Sequence, residues 1–169
     1  MLSRSRFVLP LLALVTTALL APAAQARDLM LISQSANDSY YMDVDDIQSA
    51  PDFGYRAATL YRLISQASAK TEGYDYTQII MGFDCSKQGQ VTLVQVIAFD
   101  ATGRRVREEH SDRELVNMDW MAAPEGTHFG QAWLGACKER RSPVRPGNIA
   151  PEILLEQDRQ RRVTSPALP

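Results

Sequence analysis

The chain has 169 residues, with 18 Lys and Arg against 20 Asp and Glu and a formal net charge of −2. That mildly acidic, mixed-sign balance lacks the basic face needed to neutralise phosphates, which excludes a dedicated nucleic-acid binder. The length suits a single domain with an ample core.

Residues 1–26 read as a secretory signal peptide. Arg4 and Arg6 form a positive start, "FVLPLLALVTTALLA" an apolar middle, and Ala24 and Ala26 a small-residue site that predicts cleavage before Arg27. The apolar run is short, contains Pro10 and ends in that site, which argues against an anchor. No cysteine lies near the cut, so no lipid attachment is expected. No later run approaches the ~20 apolar residues of a transmembrane helix. The expected product is exported, periplasmic or secreted. Loss of Arg4 and Arg6 would take its charge from −2 to −4 over the 143 residues that remain of 169.

Leu29 to Gln34 is predicted as a short strand, followed by the turn cluster "SANDS". Tyr40 to Asp43 reads as the next strand, and "SAPDFG" as a loop broken by Pro51 and Gly54. The long stretch Tyr55 to Ala69 fits period two (Tyr55, Ala57, Thr59, Tyr61, Leu63) and nearly as well a helix. Strand is preferred, because tyrosine and β-branched residues are interleaved and no cap is obvious. "KTEGYDY" is read as a loop. Thr77 to Cys85 then alternates Ile79, Met81, Phe83 and Cys85 onto one face. Val91 to Phe99 is apolar on both faces, as in a central strand. "DATG" at Asp100 to Gly103 signals a hairpin, and the charged Arg104 to His110 returns near a sheet edge.

The period then changes. Phe129, Ala132, Trp133 and Ala136 follow helical spacing after the start signals Pro124 and Thr127. From Arg141 the composition becomes proline-rich, and residues 141–169 read as a mostly disordered tail in which "PEILLEQDRQRR" forms at most a transient helix. The chain has two cysteines, Cys85 and Cys137. No C-x-x-C motif or zinc-like ligand spacing accompanies them. In an oxidising compartment such a pair is most simply a disulfide. Here it would clamp the helix onto the sheet.

"YYMDVDDI", the strand ending in Cys85, "AFDATGRRV" and "WMAAPEGT" leading to a helix with Cys137 come in an order that resembles the surface-adhesin protein E family of bacterial exported proteins. The resemblance covers roughly Leu29 to Lys138. It implies an α+β fold, a small antiparallel sheet of about five to six strands with a C-terminal helix tethered by a disulfide. It implies an adhesin-like domain over residues 27–140. The family's namesake is an outer-membrane lipoprotein adhesin that binds host extracellular-matrix and serum proteins. This chain departs from it in having no lipidation cysteine.

Tyr40, Tyr41, Asp43, Asp45 and Asp46 form the densest polar-aromatic cluster and are taken as the candidate interaction surface. Carboxylates at this spacing can converge on a hard cation, yet the loop lacks the glycine and distal glutamate of an EF-hand. The plainer reading is a strand with half-buried tyrosines and a solvated acidic turn. His110 and His128 belong to no G-x-S-x-G elbow or metal motif, so no catalytic residue, metal ligand or cofactor is assigned. Trp120 and Trp133 could anchor an interface, but their apolar flanks favour core positions. The expectation is an exported, non-enzymatic binding module of the bacterial envelope. Its partners would be envelope or host-matrix proteins, and it would be a monomer or homodimer. The rival is a small periplasmic hydrolase or metal-binding protein using His110, His128 or the acidic turn. An envelope protein with an edge strand open to dimerisation is a third reading.

Overall fold

A computed structural model describes residues 27–50, 54–110, 118–138 and 147–164. The segment 1–26, expected to be a signal peptide, and the tail stretches 141–146 and 165–169 lie outside the described residues. The strands are β1 (Arg27–Gln34), β2 (Asp38–Asp43), β3 (Gln48–Ala50), β4 (Tyr55–Ile64), β5 (Tyr76–Asp84), β6 (Gln90–Phe99), β7 (Arg105–His110), β8 (Met121–Ala122) and β9 (Gly147–Ile149). The helices are α1 (Gln66–Glu72), α2 (His128–Cys137) and α3 (Pro151–Thr164). The sheet runs β7-β6-β5-β4-β2-β1-β9, with β3 added to β4 and β8 to β6. Every pairing is antiparallel. The expected α+β sheet is therefore present as six long strands, extended by three short ones of two or three residues.

Side-chain alternation splits the sheet into two buried faces. Met30, Met42, Leu60, Ile79 and Val96 are successive cross-strand partners. They pack with Phe83, Trp133 and Ala136 beneath α2. One residue along, Leu31, Tyr41, Tyr61, Gln78 and Ile97 are likewise partners. This opposite face carries Leu29, Tyr41, Tyr61, Leu63 and Tyr76, which cluster with Leu154 and Leu155 of α3. Burial on both faces explains why the strands read as apolar runs or as alternations of unlike large residues rather than as a half-solvated pattern.

The segment read as one strand, Tyr55 to Ala69, is a strand and then a helix. β4 ends at Ile64, and Ser65 caps α1 by accepting from the Ser68 amide at 3.2 Å. Gly73 closes the helix at φ 78°. The cap sits inside an uninterrupted β-like alternation, which hid it. The charged return strand β7 does lie at the sheet edge. β6 is its neighbour rather than the middle of the sheet, and Leu93 is partly exposed there.

Cys85 and Cys137 form a disulfide with Cα atoms 5.2 Å apart. Thr127 caps α2, accepting from the Gly130 amide at 3.1 Å. Trp133 donates its indole N–H to the Asp84 carbonyl at 2.9 Å, next to the bridge. Trp133 is thus a core residue, while Trp120 leans on Tyr55 with ring centroids 4.9 Å apart.

The tail departs from expectation. β9 pairs with β1, and α3 docks on the sheet with Leu154 and Leu155 buried. Asp158, 1% exposed, accepts from Ser39 Oγ at 3.1 Å, Tyr41 Oη at 3.2 Å and Arg162 Nε at 2.7 Å. Arg162 also donates to the carbonyls of Ser35 and Ala36 at 3.0 and 3.1 Å, and Arg159 pairs with Asp75 at 2.6 Å. In isolation a fourteen-residue polar helix is marginal. Its order here comes from partners supplied by β1, β2 and β4, which composition does not record.

Candidate functional site

The residues singled out in the acidic-aromatic cluster do not share a surface. Tyr40 points to the α2 face, where its ring stacks on His128 at 4.4 Å and 9°. Tyr41 points to the opposite face, and neither tyrosine is more than 7% exposed. Asp43 is buried and pairs with Arg27 at 2.9 Å. Its other carboxylate oxygen accepts the Asp45 amide at 3.2 Å. Asp46 turns back to accept the Thr59 hydroxyl at 2.6 Å. Alternation along β2 separates the two phenols, and the carboxylates serve the turn that follows. Among the described residues, no three His, Cys, Asp or Glu side chains gather in a way that could hold a metal ion.

The structure instead builds a cleft of about 160 Å³ on the α3 side of the sheet. It is lined by Arg27 of β1, Tyr61 of β4, Tyr76 and Gln78 of β5, and Phe99 of β6, together with Gly103 of the hairpin and Pro151 and Glu152 of α3. Each part follows from local sequence. Odd-numbered β1 and β4 residues, even-numbered β5 residues and Phe99 share this face. The "DATG" turn takes Gly103 to φ 81°. That positive φ suits glycine, and a Cβ there would stand 2.8 Å from Glu152 Oε1, so a larger residue would strain the turn and push the Glu152 side chain aside.

The cleft combines opposite charges, phenols and an aromatic wall. Glu152 accepts the Tyr76 hydroxyl at 2.6 Å, and the Tyr76 ring stacks on Phe99 at 4.9 Å and 8°. The Arg27 guanidinium stands 5.7 Å from the Tyr61 ring centroid. Burial works against the Arg27 charge, but the Asp43 hydrogen bond and nearby negative groups outweigh it and raise its pKa. Burial pushes Tyr61 up to about 12, and burial with the Glu152 hydrogen bond drives Tyr76 higher still. Both phenols are neutral donors at physiological pH. The site can bind and orient a polar molecule, but its phenols cannot supply a base near neutrality.

Sequence reasoning missed this cleft. Its signals were the hairpin glycine and the proline-initiated helix at Pro151, read as separate loop and tail features. A second polar cluster surrounds Arg62, which forks onto both Glu72 oxygens at 3.1 Å and reaches Asp38 at 3.0 Å. His128 is the first residue of α2 and His110 the last of β7.

No curated protein and no solved structure matches the chain. Among the described residues no helix is long and apolar enough to cross a membrane. The family model for surface-adhesin protein E matches residues 29–138, a span that opens in β1 and closes just after the disulfide-held α2. The chain therefore belongs to the surface-adhesin protein E family.

Proposed function

We propose that the protein is an exported, non-enzymatic binding module of the bacterial cell envelope, adhesin-like in engaging envelope or host-matrix proteins. The observation that carries this reading is the family match, which takes in the sheet from β1 to β8 and the helix bridged to it. The chemistry of the buried groups supports it. Tyr40 and Tyr41 are held neutral, both pushed up to about 12 chiefly by burial. Asp43 and Asp158 are committed to arginines.

The protein acts from outside the inner membrane once residues 1–26 are removed, as a monomer or homodimer. Binding is tested by immobilising the exported protein and capturing partners from its native envelope and from host matrix extract. Each captured protein is then re-tested as a purified pair. Saturable binding to a purified envelope or matrix protein is the expected result. Turnover of a hydrolysable substrate, abolished by joint His110→Ala and His128→Ala without loss of folding, would replace this reading with the hydrolase one.

A further inference from the structure

We propose that the cleft between the sheet and the start of α3 binds a small amino carboxylate, a molecule carrying one ammonium and one carboxylate group. The first observation is Tyr61. It is only 2% exposed, lines the cleft, and its hydroxyl has no hydrogen-bond partner among the described residues. The buried side-chain atom without a partner among the described residues is Thr77 Oγ1, so the Tyr61 hydroxyl is open to the cleft it lines and free to donate to a molecule that enters. Gln78 beside it is half-buried, and its amide likewise has no partner among the described residues. Phenol and amide together offer a hydroxyl donor, an N–H donor pair and a carbonyl acceptor to whatever enters.

The second observation is charge. Arg27 and Glu152 line the same cleft, yet no ion pair joins them to each other. The Arg27 charge is answered by Asp43 at 2.9 Å through Nη1, which leaves other guanidinium N–H groups to donate. Among the described residues Glu152 is answered by the neutral Tyr76 hydroxyl, on one of its two oxygens. The cleft is therefore net negative at the Glu152 end and retains a cationic donor at the Arg27 end. An ammonium placed by Glu152, beside the stacked pair Tyr76 and Phe99 that lines the cleft, gains both a carboxylate and an aromatic wall. A carboxylate at the other end accepts from Arg27 and from the Tyr61 hydroxyl. The volume of about 160 Å³ equals about five waters at their bulk share, which limits the ligand to a small molecule.

This binding goes beyond partner capture and stands or falls apart from it. The exported protein is titrated calorimetrically with glycine, β-alanine and γ-aminobutyrate, a ladder that varies the distance between the charges. Butyrate and butylamine serve as singly charged controls. At least one ladder member should bind saturably, and the controls should bind at least tenfold more weakly. Tyr61→Phe keeps the ring facing Arg27 and removes only the unpaired hydroxyl, and should weaken binding about tenfold. Glu152→Gln keeps an acceptor for Tyr76 and should abolish the preference over butyrate. Near-UV circular dichroism of both variants reports the fold. Absence of saturable binding by all three ladder members overturns the proposal. So does a Tyr61→Phe variant that is folded and binds as the native protein does. Neither result touches capture of a partner protein.

Discussion

Replacing Asp158 by alanine should release α3 while leaving the rest of the sheet folded. Leu154 and Leu155 are the leucines that α3 buries in the core of this face. At ~1.5–3 kcal/mol each they supply roughly 3–6 kcal/mol towards docking. Breaking a buried ion pair by removing one partner costs ~3–5 kcal/mol. Arg162 keeps the Ser35 and Ala36 carbonyls, which points to the lower end, about 3 kcal/mol. That loss is comparable to what the two leucines provide, and it raises the undocked population about a hundredfold. Undocked, a fourteen-residue helix melts and its amides exchange. Hydrogen exchange read by mass spectrometry should therefore rise across residues 151–164 and stay unchanged in β4 to β6. α2 also stays, because Cys85–Cys137 holds it to the opposite face. Asp158→Asn, which keeps one acceptor oxygen and the side-chain volume, should show a smaller effect. Unchanged protection of 151–164 would refute the reasoning, and so would a uniform rise across the whole sheet.

Cys85→Ala should destabilise the fold in urea by about 4 kcal/mol on the loop-entropy model, with α2 loosening first. Exported protein, unfolded without reductant, should show no titratable thiol. Gly130→Ala should destabilise α2, because the new Cβ would lie 2.1 Å from the Pro124 carbonyl oxygen, a backbone atom that cannot swing aside; thermal melting reads the loss. Tyr40, Tyr41 and Tyr61 have folded pKa values raised from 10.0 to about 12, with burial the first cause. The neutral phenol is what folding favours, so this stability is fully present below about pH 10 and is lost as pH rises from 10 towards 12. Phenolate absorbance should consequently appear together with unfolding; free titration of these phenols near 10 in the folded protein would contradict their burial. Joint His110→Ala and His128→Ala should leave partner binding within a few-fold of the native protein, measured with a purified pair.

Apolar patterning placed β1, β2, β5, β6 and α2, since each buries residues against a neighbour, and the "DATG" turn placed β7, whose residues are all exposed. The two thiols fell on elements that pack together, Cys85 beside Phe83 at a strand end and Cys137 beside Ala136 on a helix, so their bridge was legible from the same pattern. The turn at Ser65 was not, because a single serine hydroxyl ended β4 and began α1 without interrupting the alternation. The acidic-aromatic cluster misled for a related reason. Closeness in sequence on a strand sends Tyr40 and Tyr41 to opposite faces, while Asp43 is claimed by an arginine sixteen residues away. What the tertiary structure alone decided is the α3 face. The segment Pro151 to Arg162 is polar and proline-flanked, and by composition it is a tail. It becomes a helix because Ser39, Tyr41 and Asp75, 119, 117 and 84 residues away from their partners in it, complete its hydrogen bonds. The cleft exists only where that helix meets the "DATG" hairpin. Local pattern records which face of an element is apolar, but not which distant charge will neutralise a buried one, and for α3 that second quantity settles the structure.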